Sequence, residues 1–458
     1  MRVAIIGAGI GGLAAALQLA RNGQEVCIYE GAGNAGGLAK SVEVQGTKFD
    51  AGPYVLLDKP GLQWALEALG LNLGTLQLRH IKDVYSVNSN GGRLALHSDL
   101  DQTVAQLGEE GQRYRDFVTS TYSKYEQLFP YTFMRPSPWN IIRDGQLGLL
   151  PFLTSSLGQV MDRFQLGDAL KNTIGIWTHI AAQSIYKAPS PMAFVPGLIH
   201  HVGSYYPEGG IGSIATLLYE ACLEAKVTFR FNSRVKQIVI KNGHVNGLQL
   251  EDGDMVAAQQ VISNSSAIGT YVNLINETPA SVKKKVKALP LQSPGICVFL
   301  KIKGNPTGSY VKFQLDDTVP QCKSLVVPNI VLNHEQGEWK TARLIFPLPH
   351  ELTKTLNPEN YSSIVEQVLA ESWWKEGITN YEVLGYNTPS SWGKKFLLYE
   401  ESMNPVMTAK FMRMGRMKHK SPHFKGLYFC GSSTHPGQWV SFCAISGILT
   451  ANQLLKDR

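Results

Sequence analysis

Three glycines near the N-terminus have the spacing of a dinucleotide-binding turn. Gly7, Gly9 and Gly12 fit GxGxxG between an apolar run at residues 2–6 and a helical apolar pattern at residues 13–20. In such a turn the first glycine allows a tight change of direction, the second lets the backbone approach a pyrophosphate, and the third lets helix and sheet pack closely. The amides that begin the helix then face the phosphate charge. This order predicts a dinucleotide site rather than an ordinary buried turn.

An acidic residue ends the second predicted strand of this unit. Glu30 follows the strand-like residues 25–29, and a carboxylate there would accept hydrogen bonds from ribose hydroxyls. A loop rich in glycine and small residues follows at 31–38, and an alternating strand is predicted at 41–49 before Gly52 and Pro53. The backbone of this loop could surround the second phosphate of the nucleotide.

A second group of candidate residues lies near the C-terminus. A predicted strand at 426–431, a polar turn at 432–437 and a helix at 440–455 would bring another helix N-terminus to a negative charge. The turn contains His435, for which a hydrogen-bonding role is more typical than that of a general base. Cys430 and Cys443 have no neighbour that would activate a thiolate, so we interpret both as apolar packing residues.

Composition limits the class of protein. With 458 residues, 44% hydrophobic and 17% charged, the chain is predicted to fold into two or three globular domains. A net charge of +7 without a basic tail disfavours nucleic acid and is compatible with an anionic lipid surface. Six cysteines without CxxC or zinc-like spacing predict neither a disulfide framework nor a metal site. Without an apolar run of eighteen residues, no membrane-spanning helix is expected. The predicted location is the cytoplasm, where the protein could also contact the inner face of a membrane peripherally.

The middle of the chain supplies the scaffold and a region rich in aromatic residues. Residues 129–206 could form a substrate lid, a membrane-contacting surface or an ordinary helical subdomain. The remaining predicted elements are helices at 60–71, from Ser98 toward Phe129, at 213–225 and at 361–376, a hairpin at 76–96, a β-meander at 227–262 ending in Ser263 and Asn264, and strands at 290–304, 309–315, 324–332 and 341–346.

Three ordered stretches resemble the phytoene desaturase and amine oxidase superfamily. They are GAGIGGLAAALQLARNGQEVCIYE with GGLAKSVEVQGTKFDAGP, YYPEGG with the meander that follows its helix, and GLYFCGSSTHPGQWVSFCAISGILTANQLL. The resemblance implies an α/β fold in which a Rossmann-type, glutathione-reductase-like FAD-binding domain is interleaved with a substrate domain of mixed sheet and helices. The expected division assigns 1–75, 205–285 and 421–458 to the FAD-binding domain, 76–204 to a substrate or membrane-associated helical region, and 286–420 to the substrate-domain sheet.

The resemblance also implies which residues contact FAD. The expected cofactor residues are Gly7, Gly9, Ile10, Gly11, Gly12, Glu30, Gly36, Gly37, Leu38, Lys40, Gly52, Pro53, Val235, Asn264, Gly431, Ser432 and Val440. Two positions depart from the family pattern. Leu38 stands where an arginine is usual, with Lys40 as its replacement candidate, and Trp439 stands where glycines are usual.

The activity implied by the resemblance is FAD-dependent desaturation of a long hydrophobic isoprenoid, with His435 and Trp439 as catalytic candidates near the flavin. A hydride would pass to flavin N5 and a proton to a base or water, which forms a double bond. The alternatives are a flavin amine oxidase, a natural-product desaturase, a carotenoid isomerase or saturase, and a prenyl-binding chaperone without flavin. The electron acceptor stays open among oxygen, a quinone and a pyridine nucleotide.

Overall fold

The computed structural model describes residues 2–134, 138–332, 339–414 and 416–457. Its strands are β1 (Arg2–Ile6), β2 (Glu25–Tyr29), β3 (Ser41–Val44), β4 (Thr47–Asp50), β5 (Leu78–Ile81), β6 (Asp83–Ser89), β7 (Gly92–His97), β8 (Ser204–Pro207), β9 (Thr228–Arg230), β10 (Val235–Lys241), β11 (His244–Leu250), β12 (Met255–Ala257), β13 (Gln260–Ser263), β14 (Leu291–Gln292), β15 (Ile296–Gly304), β16 (Val311–Leu315), β17 (Cys322–Val326), β18 (Lys340–Phe346), β19 (Ile378–Asn387), β20 (Asn404–Pro405) and β21 (Leu427–Phe429).

The α-helices surround these strands. They are α1 (Ile10–Arg21), α2 (Lys59–Ala68), α3 (Leu100–Val104), α4 (Gly111–Leu128), α5 (Pro138–Arg143), α6 (Leu150–Leu153), α7 (Leu157–Arg163), α8 (Asp168–His179), α9 (Phe194–His201), α10 (Gly212–Glu224), α11 (Ala267–Gly269), α12 (Ala280–Lys287), α13 (Asn329–Leu332), α14 (His350–Thr353), α15 (Pro358–Ala370), α16 (Pro389–Lys395), α17 (Ala409–Met414) and α18 (Val440–Lys456).

A five-stranded parallel sheet collects strands from three distant parts of the chain. Its order is β21-β13-β1-β2-β9, and each neighbouring pair is parallel. Val3 and Ile5 of the central strand are fully buried, as expected for a parallel sheet that is covered on both faces. α1 and α18 approach so closely that a Cβ on Gly447 would lie 2.3 Å from the Gly11 carbonyl oxygen. Ligands bind such sheets at the carboxyl ends of the strands, so the loops after β1, β2, β13 and β21 surround the expected site.

The second large sheet is mixed and has seven strands. Its order is β19-β15-β18-β17-β16-β6-β7, in which β6 and β16 are parallel and the other pairs are antiparallel. The predicted hairpin at 76–96 is therefore β6 with β7, whereas β5 pairs with β8. The α/β class with two interleaved sheet systems is confirmed. The region 76–204 is not purely helical, because it contributes β5, β6 and β7, and the finer domain boundaries stay a prediction.

Two predicted strands are each divided in the structure. Residues 41–49 form the antiparallel pair β3 and β4 instead of one strand. The turn between them uses Gln45 and Gly46, whose φ values are 47° and 73°, and glycine adopts such angles without steric cost. The predicted strand at 255–262 is divided into β12, which belongs to the three-stranded meander, and β13, which belongs to the parallel sheet.

The predicted long helix from Ser98 toward Phe129 is also wrong in detail. Asp99, not Ser98, accepts the capping hydrogen bond from the Gln102 amide at 3.0 Å. The Ser98 hydroxyl donates to the Ile81 carbonyl at 2.6 Å instead. The helical path breaks at Gly108, where φ is +51°, and α4 then begins at Gly111. Neighbouring polar side chains can each cap a helix, and the tertiary contact of Ser98 with Ile81 leaves Asp99 as the cap of α3.

The aromatic region forms short helices with their own core. Buried side chains of α4 and of α6 to α9 pack together there, namely Tyr114, Phe117, Phe152, Leu157, Met161, Leu170, Ile174, Phe194 and Leu198. This cluster explains the high apolar content of much of residues 129–206. Within the described residues, no helix is both long and apolar enough to cross a bilayer.

Candidate functional site

A large cavity of about 990 Å³ extends from the loops of the parallel sheet to the seven-stranded sheet and the helical region. Both catalytic candidates, His435 and Trp439, line it. So do sixteen of the expected cofactor residues, namely Gly7, Gly9, Ile10, Gly11, Glu30, Gly36, Gly37, Leu38, Lys40, Gly52, Pro53, Val235, Asn264, Gly431, Ser432 and Val440. Gly12 does not line it; a Cβ there would lie 2.1 Å from the Gly7 carbonyl oxygen, so this glycine allows the close packing of α1 on β1.

The glycine turn forms a narrow backbone cradle with residues 426–437, which are called the closing segment and whose turn at 432–437 is the closing turn. Gly7 has φ of +93°, which favours glycine. A Cβ on Gly11 would lie 2.6 Å from Asn264 Oδ1 and 2.8 Å from Gly431 Cα, and one on Gly9 would lie 2.9 Å from Asn264 Nδ2. The Asn264 side chain thus separates the two glycine segments, and the amides that begin α1 stay open to the cavity.

Glu30 has a fixed orientation at the end of β2. Its Oε2 accepts from the Ala8 amide at 2.7 Å and its Oε1 accepts from the Ala32 amide at 2.8 Å. A carboxylate has about four lone-pair positions, so acceptor capacity is left for hydroxyl groups. The prediction of ribose contact is compatible with this geometry.

The loop after β2 contacts the glycine turn and the segment after β4. The Gly36 amide donates to the Ala8 carbonyl at 2.8 Å, and a Cβ on Gly52 would lie 2.7 Å from the Leu38 carbonyl oxygen. Lys40 Nζ donates to Asn34 Oδ1 at 2.7 Å, and burial together with Lys395 lowers the pKa of this amine while Glu30 raises it. Lys40 therefore places a cation beside the cavity, near the position where Leu38 replaces the expected arginine.

The closing segment is held by hydroxyl groups of α18 and of its own turn. The Gly431 amide donates to Ser446 Oγ at 3.0 Å, and Thr434 Oγ1 donates to the Gly431 carbonyl at 2.9 Å. Trp439 immediately precedes α18 and stacks on Phe442, with ring centroids 5.1 Å apart. The indole therefore forms a flat apolar wall of the cavity beside the first turn of α18.

His435 has its Nε2 committed to the backbone. Nε2 lies 3.2 Å from the carbonyl oxygens of Tyr131 and Thr132, so Nε2–H donates and the ring bridges the closing turn to the helical region. Burial lowers the pKa of His435 to about 4, and the nearby Arg416 charge acts in the same direction. This arrangement favours a structural role for His435 over that of a base.

We expect His435 to make the protein acid-labile. Its pKa is about 4 in the folded state and about 6.5 in an unfolded chain. Between these values the unfolded chain binds a proton that the folded chain does not, so stability falls as the pH falls. His435→Gln should reduce the loss of unfolding free energy between about pH 7 and about pH 5 by about 2 kcal/mol. Denaturant unfolding at both pH values measures this. The control is His244→Gln at an exposed site, and equal pH dependence of the two variants would contradict the expectation.

Several charged residues of the cavity wall were not predicted from sequence, and Asp58, Arg343 and Arg416 are among them. Asp58 precedes a Lys-Pro pair, which is a recognisable helix-start signal. The two arginines have no local signal, because each acts through partners far away in sequence.

Asp58 joins three elements at the cavity wall. Its Oδ2 accepts from Ser441 Oγ of α18 at 2.7 Å, and its Oδ1 accepts from the Gly61 amide of α2 at 3.1 Å and from Tyr125 Oη of α4 at 3.4 Å. Burial raises the pKa of the Asp58 carboxyl, and these donors lower it. Burial is the larger effect, so the pKa of the carboxyl lies above its usual value, and its three donors all belong to the protein itself.

Arg343 connects β18 to the loop after β4. Its Nη1 donates to the Asp50 carbonyl at 2.7 Å and to the Gly52 carbonyl at 3.3 Å. Burial raises the pKa of Cys297, which interacts with Arg343, to about 11 and that of Cys443, which interacts with Arg416, to about 12, so both thiols are inert. The interpretation of Cys443 as a packing residue is compatible with this finding.

These residues fit a flavin nucleotide. The glycine cradle excludes side chains where a phosphate would approach the backbone, and Glu30 lies where a ribose would be held. Arg416 Nε is buried in the cavity wall without a hydrogen-bond partner among the described residues. A polar cradle at one end and an apolar wall at the other match a cofactor with a charged nucleotide and a flat ring system.

Comparison with known proteins supports the same conclusion. A sequence profile described as flavin containing amine oxidoreductase matches residues 10–306. The chain is 25% identical over 495 residues to 4,4'-diapolycopene oxygenase of Methylomonas sp, with 100% of this chain and 98% of the relative covered. It is 26% identical to phytoene desaturase of Phycomyces blakesleeanus, with 99% and 85% covered.

Solved structures show the same fold. An oxidoreductase from Methanosarcina mazei aligns over 100% of both chains with a TM-score of 0.64 and 20% identity. Similarity at that identity concerns the fold alone. The profile match at residues 10–306 spans more than half of the chain, so this protein belongs to the flavin containing amine oxidoreductase family and is a flavin-dependent oxidoreductase.

Proposed function

We propose that the protein binds FAD and uses it to introduce double bonds into a long apolar isoprenoid of the carotenoid class. The observation that carries the proposal is the continuity of one cavity, which joins the dinucleotide turn to a wall of aromatic and aliphatic side chains. FAD is favoured among flavins because the GxGxxG turn and Glu30 form a site for the adenosine half of a dinucleotide. The two relatives named above, which act on diapolycopene and phytoene by name, favour the substrate class.

The apolar half of the cavity suits a hydrocarbon chain. Its wall includes Tyr54, Tyr125, Leu128, Phe129, Leu153, Trp177, Ile180, Met192, Phe194, Val195, Leu198, Met407, Met412, Trp439 and Phe442. Burial of a hydrocarbon gains about 0.8 kcal/mol per methylene. Methionine and aromatic side chains adapt to an extended chain without requiring polar groups on it.

The cations beside the apolar wall disfavour the amine oxidase alternative. Arg343 lies over the Tyr54 ring and Arg416 contacts Met407, so two guanidinium groups would repel an ammonium substrate there. The carboxylate of Asp58 already accepts three hydrogen bonds. A neutral hydrocarbon avoids both conflicts.

The chain's own residues would position the substrate and exclude water. The flavin, when bound, supplies the hydride acceptor. Trp439 and Phe442 bound the site beside α18, and His435 ties the closing turn to the helical region over the cavity. We infer that Trp439, which replaces small residues of the family pattern, limits the width of the substrate at this point.

Anaerobic reduction of the bound flavin tests the proposal. The purified protein should show a flavin absorbance band, and C30 or C40 polyenes dispersed in lipid should bleach it without oxygen and yield a product with an added double bond. Putrescine or benzylamine should not bleach it. Bleaching by amines alone would overturn the substrate class. Oxygen in the product would change the reaction to oxygenation.

A membrane surface is the proposed source of so insoluble a substrate. Exposed apolar side chains concentrate at Met134 and at residues 139–150, where Trp139 is 74% exposed, Leu147 is 53% exposed, and Ile142 and Leu150 are also exposed. Tyr131 and Thr132, which directly precede this stretch, line the cavity. We propose that this segment contacts the headgroup region and leads substrate into the cavity.

The double variant Trp139→Glu with Leu147→Glu should weaken sedimentation with anionic liposomes at least about tenfold, because two apolar contacts of roughly 1.5–3 kcal/mol each are lost. Met255→Glu is the matched control, since Met255 is 63% exposed on β12. Equal liposome binding by the double variant and the control would contradict the assignment of this surface.

A further inference from the structure

Arg416 is a cation in the cavity wall without a carboxylate partner. Its Nη1 donates to the Ser432 carbonyl at 3.2 Å and its Nη2 contacts Met407 Sδ. Its Nε is buried and has no partner among the described residues. Within those residues no ion pair includes Arg416, and its charge interacts with Cys443 and His435. Burial lowers its pKa to about 10, so the group is charged at neutral pH.

A guanidinium in this environment destabilises the folded protein unless a ligand interacts with its charge. Removing a charge from water is destabilising when no counter-charge is present, and an unpaired buried N–H group adds to that cost. Neutral partners, a carbonyl and a thioether, offset this cost only in part. The cavity beside Arg416 is therefore expected to receive a group that carries negative charge at some stage of the reaction.

The position of Arg416 indicates which group this is. It contacts Ser432 directly, and a Cβ on Gly437 would lie 3.4 Å from its Nη2. Its charge also interacts with Cys443 in the first turn of α18. The guanidinium and the N-terminus of α18, where amides are unpaired, thus lie on the same side of the cavity, beside the closing turn.

We propose that Arg416 stabilises the negative charge that the flavin ring gains on reduction, together with the N-terminus of α18. Transfer of a hydride breaks one C–H bond of the substrate and brings two electrons and one proton to a neutral ring, so the ring becomes an anion. The substrate then loses a proton to water and becomes an alkene. A fixed cation favours the anionic state of the ring over the neutral one. This inference rests on the proposed flavin cofactor.

Two simpler roles are distinguishable from this one. If Arg416 only anchors the turn at Ser432, its charge is unimportant to the flavin potential. If it binds the cofactor phosphates, its loss weakens oxidised and reduced FAD equally. Of the three roles, only stabilisation of the charge on the flavin ring predicts that loss of Arg416 weakens the binding of reduced FAD more than that of oxidised FAD.

The variants Arg416→Met and Arg416→Lys test the proposal with FAD-loaded protein. The methionine keeps the length without the charge, and the lysine keeps the charge. Oxidised FAD affinity, measured by fluorescence quenching, should change less than about threefold in either variant. In Arg416→Met, the affinity for reduced relative to oxidised FAD should fall at least about tenfold, which lowers the midpoint potential by about 30 mV for a two-electron couple. Arg416→Lys should recover more than half of that shift, and sulfite affinity should follow the same order.

Wild-type protein provides a second measurement that requires no variant. A nearby cation lowers the pKa of a group that ionises to an anion, so reduced flavin should keep its anionic spectrum down to about pH 6. A neutral spectrum, an unchanged potential in Arg416→Met, or an equal loss of both redox forms would overturn the inference. If wild-type protein binds no flavin, the proposed function falls as well. If the protein binds flavin but gives any of the three results above, only the proposed role of Arg416 is overturned.

Discussion

Gly11→Ala should weaken flavin binding about 100-fold. The new Cβ would lie 2.6 Å from Asn264 Oδ1 and 2.8 Å from the backbone Cα and N of Gly431, and backbone atoms cannot yield as a flexible side chain can. Overpacking of this kind costs about 3 kcal/mol at the upper end of its usual range, which equals about 100-fold in affinity if the cost appears in binding. The glycine turn and the closing segment would separate, and both line the expected phosphate site. Flavin content after purification and titration of apoprotein with FAD measure the effect.

Gly33→Ala is the matched control for Gly11→Ala. Gly33 lies in the same region of the fold, and the nearest atom to its Cβ would be Asn232 Oδ1 at 3.5 Å, an ordinary contact. Its flavin content should equal that of the wild type. If Gly11→Ala binds FAD as Gly33→Ala does, the assignment of the cradle to the cofactor is wrong.

Asp58→Ala should cost about 3 kcal/mol of unfolding free energy. Loss of the cap of α2 contributes about 1 kcal/mol, and the Ser441 hydroxyl left without its acceptor contributes about 1–3 kcal/mol. Because Asp58 joins α2, α4 and α18 at the cavity wall, flavin affinity should fall with stability. Denaturant unfolding and FAD titration of the same preparation measure both quantities.

Two variants separate the linking role of Asp58 from capping alone. Asp58→Asn keeps an acceptor for Ser441 and a good cap residue, so its loss should stay below about 1 kcal/mol. Asn357→Ala removes the acceptor of the Asn360 amide at the start of α15, which should cost about 1 kcal/mol without any change in flavin affinity. An Asp58→Asn protein as unstable as Asp58→Ala would mean that charge, not hydrogen bonding, holds the wall together.

Local sequence patterns predicted much of the fold. The glycine turn, Glu30 and the closing glycine were predictable because each imposes a backbone requirement on a few consecutive residues. The two sheet systems followed from the order of motifs along the chain. Boundaries were less predictable, since the alternation in residues 41–49 is the same for one strand as for the hairpin of β3 and β4.

The sequence by itself therefore determined the family and the class of cofactor, and it predicted residues that line the cavity, because these depend on short contiguous motifs. Tertiary structure alone decided the charges of the cavity wall. Ser441 meets Asp58 across 383 positions of sequence, and Arg343 reaches the Asp50 carbonyl across 293 positions. Hydrogen bonds and unpaired charges between such distant residues depend on how whole elements pack, which no local pattern encodes. Arg416 Nε, which has no hydrogen-bond partner among the described residues, belongs to the same class, since only the folded chain removes this atom from water.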